Sequence, residues 1–435
     1  MNEAESIKSE IFSLVEKYTK LAHTQKEFVP GQSAVPVSGK VFDHKELQYI
    51  VDSALDGWFT TGRFNTEFEK KLASYVGVNK VLTVNSGSSA NLLAVSALSD
   101  ASWGAKAIQP GDEFITTPVS FPTTINPFLL YGLKPVFVDC ELQTYNIDVD
   151  LIESAITPKT KAIMVAHTMG NPYEVDRIVA IAKKHNLWVI EDCCDALGGT
   201  YQGKHVGTFG DIGTLSFYPA HHVTMGEGGA VFTSNSKMAK ILESFRDWGR
   251  DCWCETGKDD TCGKRFKWQL GQLPQGYDHK YTYSRLGYNL KITDMQAALG
   301  LAQLEKLDEF VAKRRYNFDK LKKGLSDLSG KLLLPEATVD SNPSWFGFLI
   351  TIQPEAVKTR EEVIAFLTEN KIATRLLFAG DIRKQPYFKN IQYTEIGTFE
   401  NAERVLHDTF WIGVTPMLTD EMVDYMIDKM HELFQ

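Results

Sequence analysis

The sequence predicts an α/β chain, a large doubly wound domain with a mostly parallel central sheet followed by a smaller α+β C-terminal domain. Two observations carry this expectation. From Lys80 onward, apolar runs of strand length alternate with helical segments, and crossover helices of that kind join parallel strands. After a long helical stretch from Asp294 to Tyr316 the alternation stops, and helices mix with short strands such as Gly347–Ile352. The expected division is 1–45 (helix and arm), 46–310 (large domain, with an irregular insert near 247–283) and 311–435 (small domain).

Each element follows from local pattern. Ile7, Ile11, Leu14, Val15, Tyr18 and Leu21 recur at helical spacing, so an amphipathic packing helix opens the chain. The Pro- and Gly-bearing stretch from Pro30 to Lys40 reads as an arm. Helices follow from Lys45 to Asp56 and from Thr66 to Tyr75. The alternation then runs through strands starting at Lys80, Glu113, Pro135, Lys161 and Leu187, with helices from Ala90, near Thr124, after Asp148 and from Tyr173 between them. Asp247 to Tyr283 breaks the rhythm, and an irregular stretch of that length inside a domain is usually functional.

With 43% hydrophobic and 23% charged residues, the composition is that of a globular chain. A formal charge of -9 and no basic run argue against a nucleic-acid partner. No apolar run approaches the roughly 18 residues of a spanning helix, and MNEAESIKSEIF lacks the pattern of a secretion signal, so a cytoplasmic protein without a membrane partner is expected.

Candidate chemistry gathers between Leu187 and Val231. One strand ends in Glu191 and Asp192; a second, Gly213 to Phe217, ends at Tyr218, Pro219, Ala220 and His221. Both deliver polar groups to one sheet edge, where open α/β folds bind ligands. Asn85-Ser86-Gly87-Ser88-Ser89-Ala90 follows a strand and opens a helix, a place where amides and hydroxyls hold a phosphate; alone, a Ser-rich helix cap is the commoner meaning. Phe121 likewise follows a strand, although one aromatic is more often core. His222, next to His221 in an extended segment, points the other way, and His205 lies in a turn; both read as structural or surface residues.

These motifs resemble the sugar-nucleotide aminotransferase and dehydratase branch of the fold-type I pyridoxal-phosphate enzymes. The resemblance implies that Asp192 holds the pyridine nitrogen, that Gly87, Ser88, Ser89 and Ser216 cradle the cofactor phosphate, and that Phe121 lies against the ring. It also implies that Asn289, within Gly287-Tyr288-Asn289-Leu290-Lys291, reaches the phosphate of a neighbouring subunit in a homodimer. Ser88 replaces the usual Thr and Lys291 the usual Arg. In that branch a Ser-Phe-x-x-x-Lys run carries the lysine that forms the Schiff base. Counting from Ser216, this chain has His221 there, so the cofactor cannot be tethered at that position and free pyridoxamine 5'-phosphate is expected.

Six cysteines occur, four of them at Cys194-x57-Cys252-x1-Cys254-x7-Cys262, with Cys140 and Cys193 besides. Spacing alone matches neither zinc ribbons nor plant ferredoxins and favours free thiols. Together with His221, however, the pattern resembles the 3-dehydrases of the branch that use pyridoxamine phosphate and a 2Fe-2S cluster in 3,6-dideoxyhexose synthesis. This resemblance implies Cys194, Cys252, Cys254 and Cys262 as cluster ligands, and His221, Asp195 and Tyr218 as catalytic residues. It further implies CDP-4-keto-6-deoxyglucose as substrate and an NADH-dependent flavin/iron–sulfur reductase as partner. A cluster-free dehydratase, an aminotransferase with a displaced lysine, and a silent dimer with a zinc-stabilised insert stay open as alternatives.

Overall fold

The computed structural model describes residues 2–24, 27–252, 254 and 257–434. Three helices open the chain: α1 (Glu3–Ala22), α2 (His44–Leu55) and α3 (Arg63–Val76). The first two start at capping boxes, Asn2 with Glu5 and Asp43 with Glu46, in which side chains satisfy the free amides of the helix end. The alternation then runs β1 (Lys80–Val84), α4 (Gly87–Leu98), β2 (Glu113–Thr116), α5 (Pro122–Leu130), β3 (Lys134–Val138), α6 (Val149–Ile152), β4 (Thr160–Ala166), α7 (Val175–His185) and β5 (Trp188–Asp192). A short hairpin of β6 (Thr200–Tyr201) and β7 (Lys204–His205) precedes β8 (Ile212–Ser216), β9 (Gly229–Thr233) and α8 (Ser236–Arg246). Beyond the insert come α9 (Asp294–Leu304), α10 (Leu307–Gly324), β10 (Leu332–Leu333), β11 (Ser341–Asn342) and β12 (Gly347–Ile352). The chain closes with α11 (Arg360–Glu369), β13 (Thr374–Arg375), β14 (Thr394–Ile396), α12 (Glu400–Asp408), β15 (Thr409–Gly413) and α13 (Asp420–Phe434).

The large sheet has eight strands in the order β1-β9-β8-β5-β4-β2-β3-β14. Its strands alternate apolar side chains between two faces, as the pleat requires: Phe114, Met164 and Ile190 pack on one side, and Ile115, Ile163 and Val189 on the other. Helices cover both faces, which is why the strand interiors are mostly apolar. The α/β fold and the mostly parallel sheet are as expected, with β9 the exception, antiparallel to both β1 and β8. A second sheet, β10-β12-β15-β13, packs with α10, α11 and α13 around Phe318, Trp345, Phe348 and Phe410.

Three expectations are corrected. The single helix from Asp294 to Tyr316 is two, broken at Glu305 and Lys306, because Lys306 turns its ammonium onto Glu46 at 2.7 Å and Asp43 at 2.9 Å. The apolar stripe of α1 is only partly used for packing: Ile11, Phe12 and Val15 are half-buried, whereas Ile7, Leu14, Tyr18 and Leu21 are exposed. The C-terminal region is not confined to its own sheet, since β14 pairs in parallel with β3 at the edge of the large one.

Candidate active site

A cleft of about 580 Å³ opens where β5 and β8 end side by side. Loops of the large sheet form its floor, and residues of β13, β15 and the segment before β12 form its far wall.

Asp192 closes β5 and is buried. Its Oδ2 accepts from Asn91 Nδ2 at 2.8 Å and from Thr124 Oγ1 at 2.9 Å; its Oδ1 accepts from the Cys194 amide at 3.1 Å. Asn91 is turned in its own right by the Thr214 hydroxyl, which donates to its Oδ1 at 2.7 Å. Three side chains, from α4, α5 and β8, and one backbone amide thus fix the direction of one carboxylate. Glu191, its neighbour, faces away from the cleft and accepts from the amides of Gly207, Phe209 and Gly210 and from His167, an arrangement that anchors a loop.

Gly87 begins α4, and the N-cap Ser86 accepts from the Ser89 amide at 3.0 Å. The Gly87 and Ser88 amides have no partner within the helix, so the helix end presents free donors and a positive dipole to an anion. Gly87 packs directly on the end of β8, where a Cβ would lie 2.5 Å from the Cβ of Ser216; only glycine brings the two together. Ser86, Gly87, Ser88 and Ser216 all line the cleft. Ser89 does not join them, since its amide and hydroxyl are both bonded to Ser86.

His221, Asp195 and Tyr218 all line the cleft. His221 Nδ1 lies 3.2 Å from Asp195 Oδ1, within ion-pair distance but without the alignment of a hydrogen bond. Its ring packs at 5.2 Å against Phe346, and its side chain is 15% exposed, leaving Nε2 as the ring nitrogen not turned to Asp195. Phe121 and Tyr218 are half exposed on the cleft walls, Phe121 in edge contact with Phe378 at 6.4 Å.

Behind His221 sits a residue that no motif singles out. Arg314, on α10, is 1% exposed and donates to the carbonyls of Trp345 and Phe346 at 3.2 Å and of Ala220 and His221 at 3.4 Å. Burial brings its guanidinium down to about 10, against which the Asp195 carboxylate works. Arg314 therefore clamps the His221 loop to the segment carrying Phe346. His222 points the opposite way, with Nε2 donating to the Ser344 carbonyl at 2.9 Å, and burial beside Arg314 holds its ring well below the usual histidine range. The His205 ring packs against Tyr75 at 4.8 Å, tilted by 41°. Both are structural, as expected.

Asn289 is exposed and does not line this cleft; it bridges to Asp247 at the base of the insert and accepts from Lys291 at 2.9 Å. The cysteines divide. Cys194 lies on the cleft floor, its thiol pushed well above the ordinary range by burial and by Asp192. Cys252, Cys254 and Cys262 are neighbours in the insert: Cys252 and Cys254 interact through their side chains, Thr261 donates to Cys254 at 3.1 Å, and Cys262 Sγ lies 3.6 Å from His279 Nε2. No three of the four thiols lie within 4.8 Å of one another; among the described residues the metal-type trio that does is His167, Glu191 and Cys193. That trio is satisfied by hydrogen bonds, with His167 Nδ1 accepting from the Tyr173 amide and Nε2 facing Glu191. Cys140 is buried in the core.

The chain is similar over its whole length to known proteins. It is 59% identical over 431 residues to the lipopolysaccharide biosynthesis protein RfbH of Salmonella typhimurium, covering 99% of both chains. To the dTDP-4-dehydro-2,6-dideoxy-D-glucose 3-dehydratase of Saccharopolyspora spinosa it is 51% identical over 413 residues, 94% of this chain and 89% of that one. Among solved structures, the Escherichia coli GDP-4-keto-6-deoxy-D-mannose-3-dehydratase with bound hydrated PLP superposes with a TM-score of 0.81 at 28% identity, covering 92% of this chain and 99% of the other. The fold is that of the fold-type I sugar aminotransferases and dehydratases, and with a match across residues 41–431 the chain belongs to the DegT/DnrJ/EryC1/StrS aminotransferase family.

Proposed function

We propose that the protein is a 3-dehydrase that removes the C3 hydroxyl of a 4-keto-6-deoxy sugar nucleotide, CDP-4-keto-6-deoxyglucose in particular, during 3,6-dideoxyhexose synthesis. The observation that carries this reading is the imidazole of His221 in the cleft, at the place where the family's aminotransferases need a lysine. The 3-dehydratase relatives support it.

The residues fit pyridoxamine 5'-phosphate. An anion cradle at the start of α4, a buried carboxylate at the end of β5 and an aromatic wall at Phe121 match its phosphate, its pyridine N–H and its ring. When bound, the cofactor supplies an amine that condenses with the C4 ketone and a ring that accepts an electron pair. The protein does the rest. The Gly87 and Ser88 amides with the Ser216 hydroxyl would hold the phosphate, and Asp192, kept in line by Asn91 and Thr124, would hold the proton on the pyridine nitrogen. With the cofactor bound, His221 Nε2 would serve as the base for the proton at C4', and Asp195 beside Nδ1 would favour the tautomer with Nε2 free and stabilise the imidazolium. Tyr218, on the cleft wall next to His221, is assigned to the departing C3 hydroxyl.

A 2Fe-2S centre on Cys194, Cys252, Cys254 and Cys262 would supply one-electron transfer from an NADH-dependent flavin/iron–sulfur reductase. Cys252, Cys254 and Cys262 are neighbours and of the right chemistry, and Cys194 lies on the cleft floor. The exposed Asn289, outside its own cleft, supports a homodimer in which it serves the second subunit.

Borohydride reduction of the purified protein followed by peptide mapping tests the central claim. The expected result is no phosphopyridoxyl-lysine and full release of cofactor on denaturation; a labelled lysine from the cleft sinks the reading.

A further inference from the structure

On the wall of the cleft that faces the small sheet stands a charge the reading above leaves unused. Arg375 ends β13, a two-residue edge strand whose register sets it opposite Trp411 of β15. It is exposed and lines the cleft, and its guanidinium donates to the carbonyl of the preceding Thr374 at 2.8 Å. Among the described residues it makes no ion pair, whereas Arg383, a few residues on, is locked between Asp381 and Glu395. A guanidinium fork kept at a cleft and left without a carboxylate suits an anionic group with two acceptor oxygens side by side, a carboxylate or a phosphate.

The charge balance of the cleft asks for such a group to be met here. The other fixed charges on its lining are the carboxylates Asp192, Asp195 and Glu227. A nucleoside diphosphate brings further negative charge into that field, and the free donors at the start of α4 are already assigned to the cofactor phosphate. Arg375 is the one fixed cation among the described lining residues. Its backbone is held for the task, because Trp411 is buried beneath it and donates Nε1 to the Leu376 carbonyl at 3.1 Å. Beside it Leu376, 51% exposed, and Phe378 give an apolar surface for the uncharged part of a ligand.

We propose that Arg375 binds the diphosphate of the sugar-nucleotide substrate, so that the substrate enters with its charged link on the small-sheet wall and its sugar toward His221. The assignment rests on the reading of the substrate as a sugar nucleotide. Calorimetric titration of cofactor-loaded wild type, R375Q and R375K with CDP, dTDP, GDP and inorganic pyrophosphate tests it. Wild type is expected to bind at least one nucleoside diphosphate, with pyrophosphate competing. R375Q should weaken that binding by about 10- to 100-fold, the range for loss of a charge-assisted bidentate contact. R375K should recover part of the loss, and the cofactor absorbance should be the same in all three. Salt should weaken binding to wild type more steeply than to R375Q. If wild type binds and R375Q binds equally well, the assignment is overturned and the substrate class stands. If wild type binds none of the three nucleotides, the sugar-nucleotide reading falls and this assignment with it. A loss of cofactor absorbance in R375Q makes the residue structural and also overturns it.

Discussion

The cleft and the cysteine-bearing insert are held together by opposite means. In the cleft the central groups lie at or just beyond strand ends and are braced by buried partners: Asp192 by Asn91, Thr124 and the Cys194 amide, and the His221 loop by Arg314. In the insert the regular element among the described residues is one short turn, His279–Tyr281. Its chain is tied instead by charges near the surface, Arg265 to Asp278 at 2.7 Å and to Asp259 at 3.3 Å, with Lys280 also on Asp259. Phe266, Tyr277, Tyr281 and Tyr283 face solvent. Ion pairs of that kind contribute little to stability, and segments with few buried contacts open first. The two regions should therefore fail independently.

The largest effect expected is on the cleft alone. His221→Asn should slow exchange of the C4' proton with solvent by about 10²–10⁴-fold, the usual worth of a general base. Cofactor retention and the proteolytic pattern of the insert should stay as in wild type. Deuterium incorporation followed by mass spectrometry measures it, and undiminished exchange removes His221 from the role.

Next is Arg314→Met. Four carbonyls lose their donor, which costs about 1–3 kcal/mol in urea unfolding, and the His221 loop loses its clamp. Exchange at C4' should slow by less than in His221→Asn, with no change in insert cleavage.

Cys262→Ser reverses the pattern. Iron and acid-labile sulfide should fall while C4' exchange continues near the wild-type rate. A drop in both together means that the regions are coupled; retention of iron makes the Cys262 thiol a structural group.

The smallest effect concerns the base of the insert, where Arg285 pairs with Asp100. Burial works to raise the Asp100 carboxyl, but Ser102 and Arg285 outweigh it and hold the group below its usual value of 3.8. A carboxyl depressed in the folded state stabilises above its unfolded value, and the contribution is lost as pH falls through the folded one. Hydrogen exchange at residues 283–287 should therefore rise as pH drops below about 4, and Asp100→Asn should show that faster exchange already at pH 7.

The strands and the identity of the cleft were legible in the sequence because both depend on local pattern. Lys80–Val84 and Gly347–Ile352 are apolar runs bounded by turns, and Asp192, Ser216 and His221 sit at fixed offsets from strand ends. Arg314 was not legible, since an arginine in an amphipathic helix carries no mark of the wall it will be pressed against. Asn91 was hidden for a similar reason: its partner Asp192 is brought to it by the sheet. The break at Lys306 escaped because its cause, Glu46, lies far back in the chain. Ser89 shows how a residue at the start of a helix can serve the cap as well as a ligand: its amide donates to Ser86 and its hydroxyl accepts from Ser86.

The edge strand β14 bears on how the chain is made. It joins Thr394 to Val136 in parallel, so the outer rim of β3 waits unpaired until about 250 further residues have left the ribosome. During that interval the large sheet shows its bare hydrogen-bonding edge to any other nascent chain. Fragments ending before Thr394 should for this reason collect in inclusion bodies even though every residue of the cleft floor has already been synthesised.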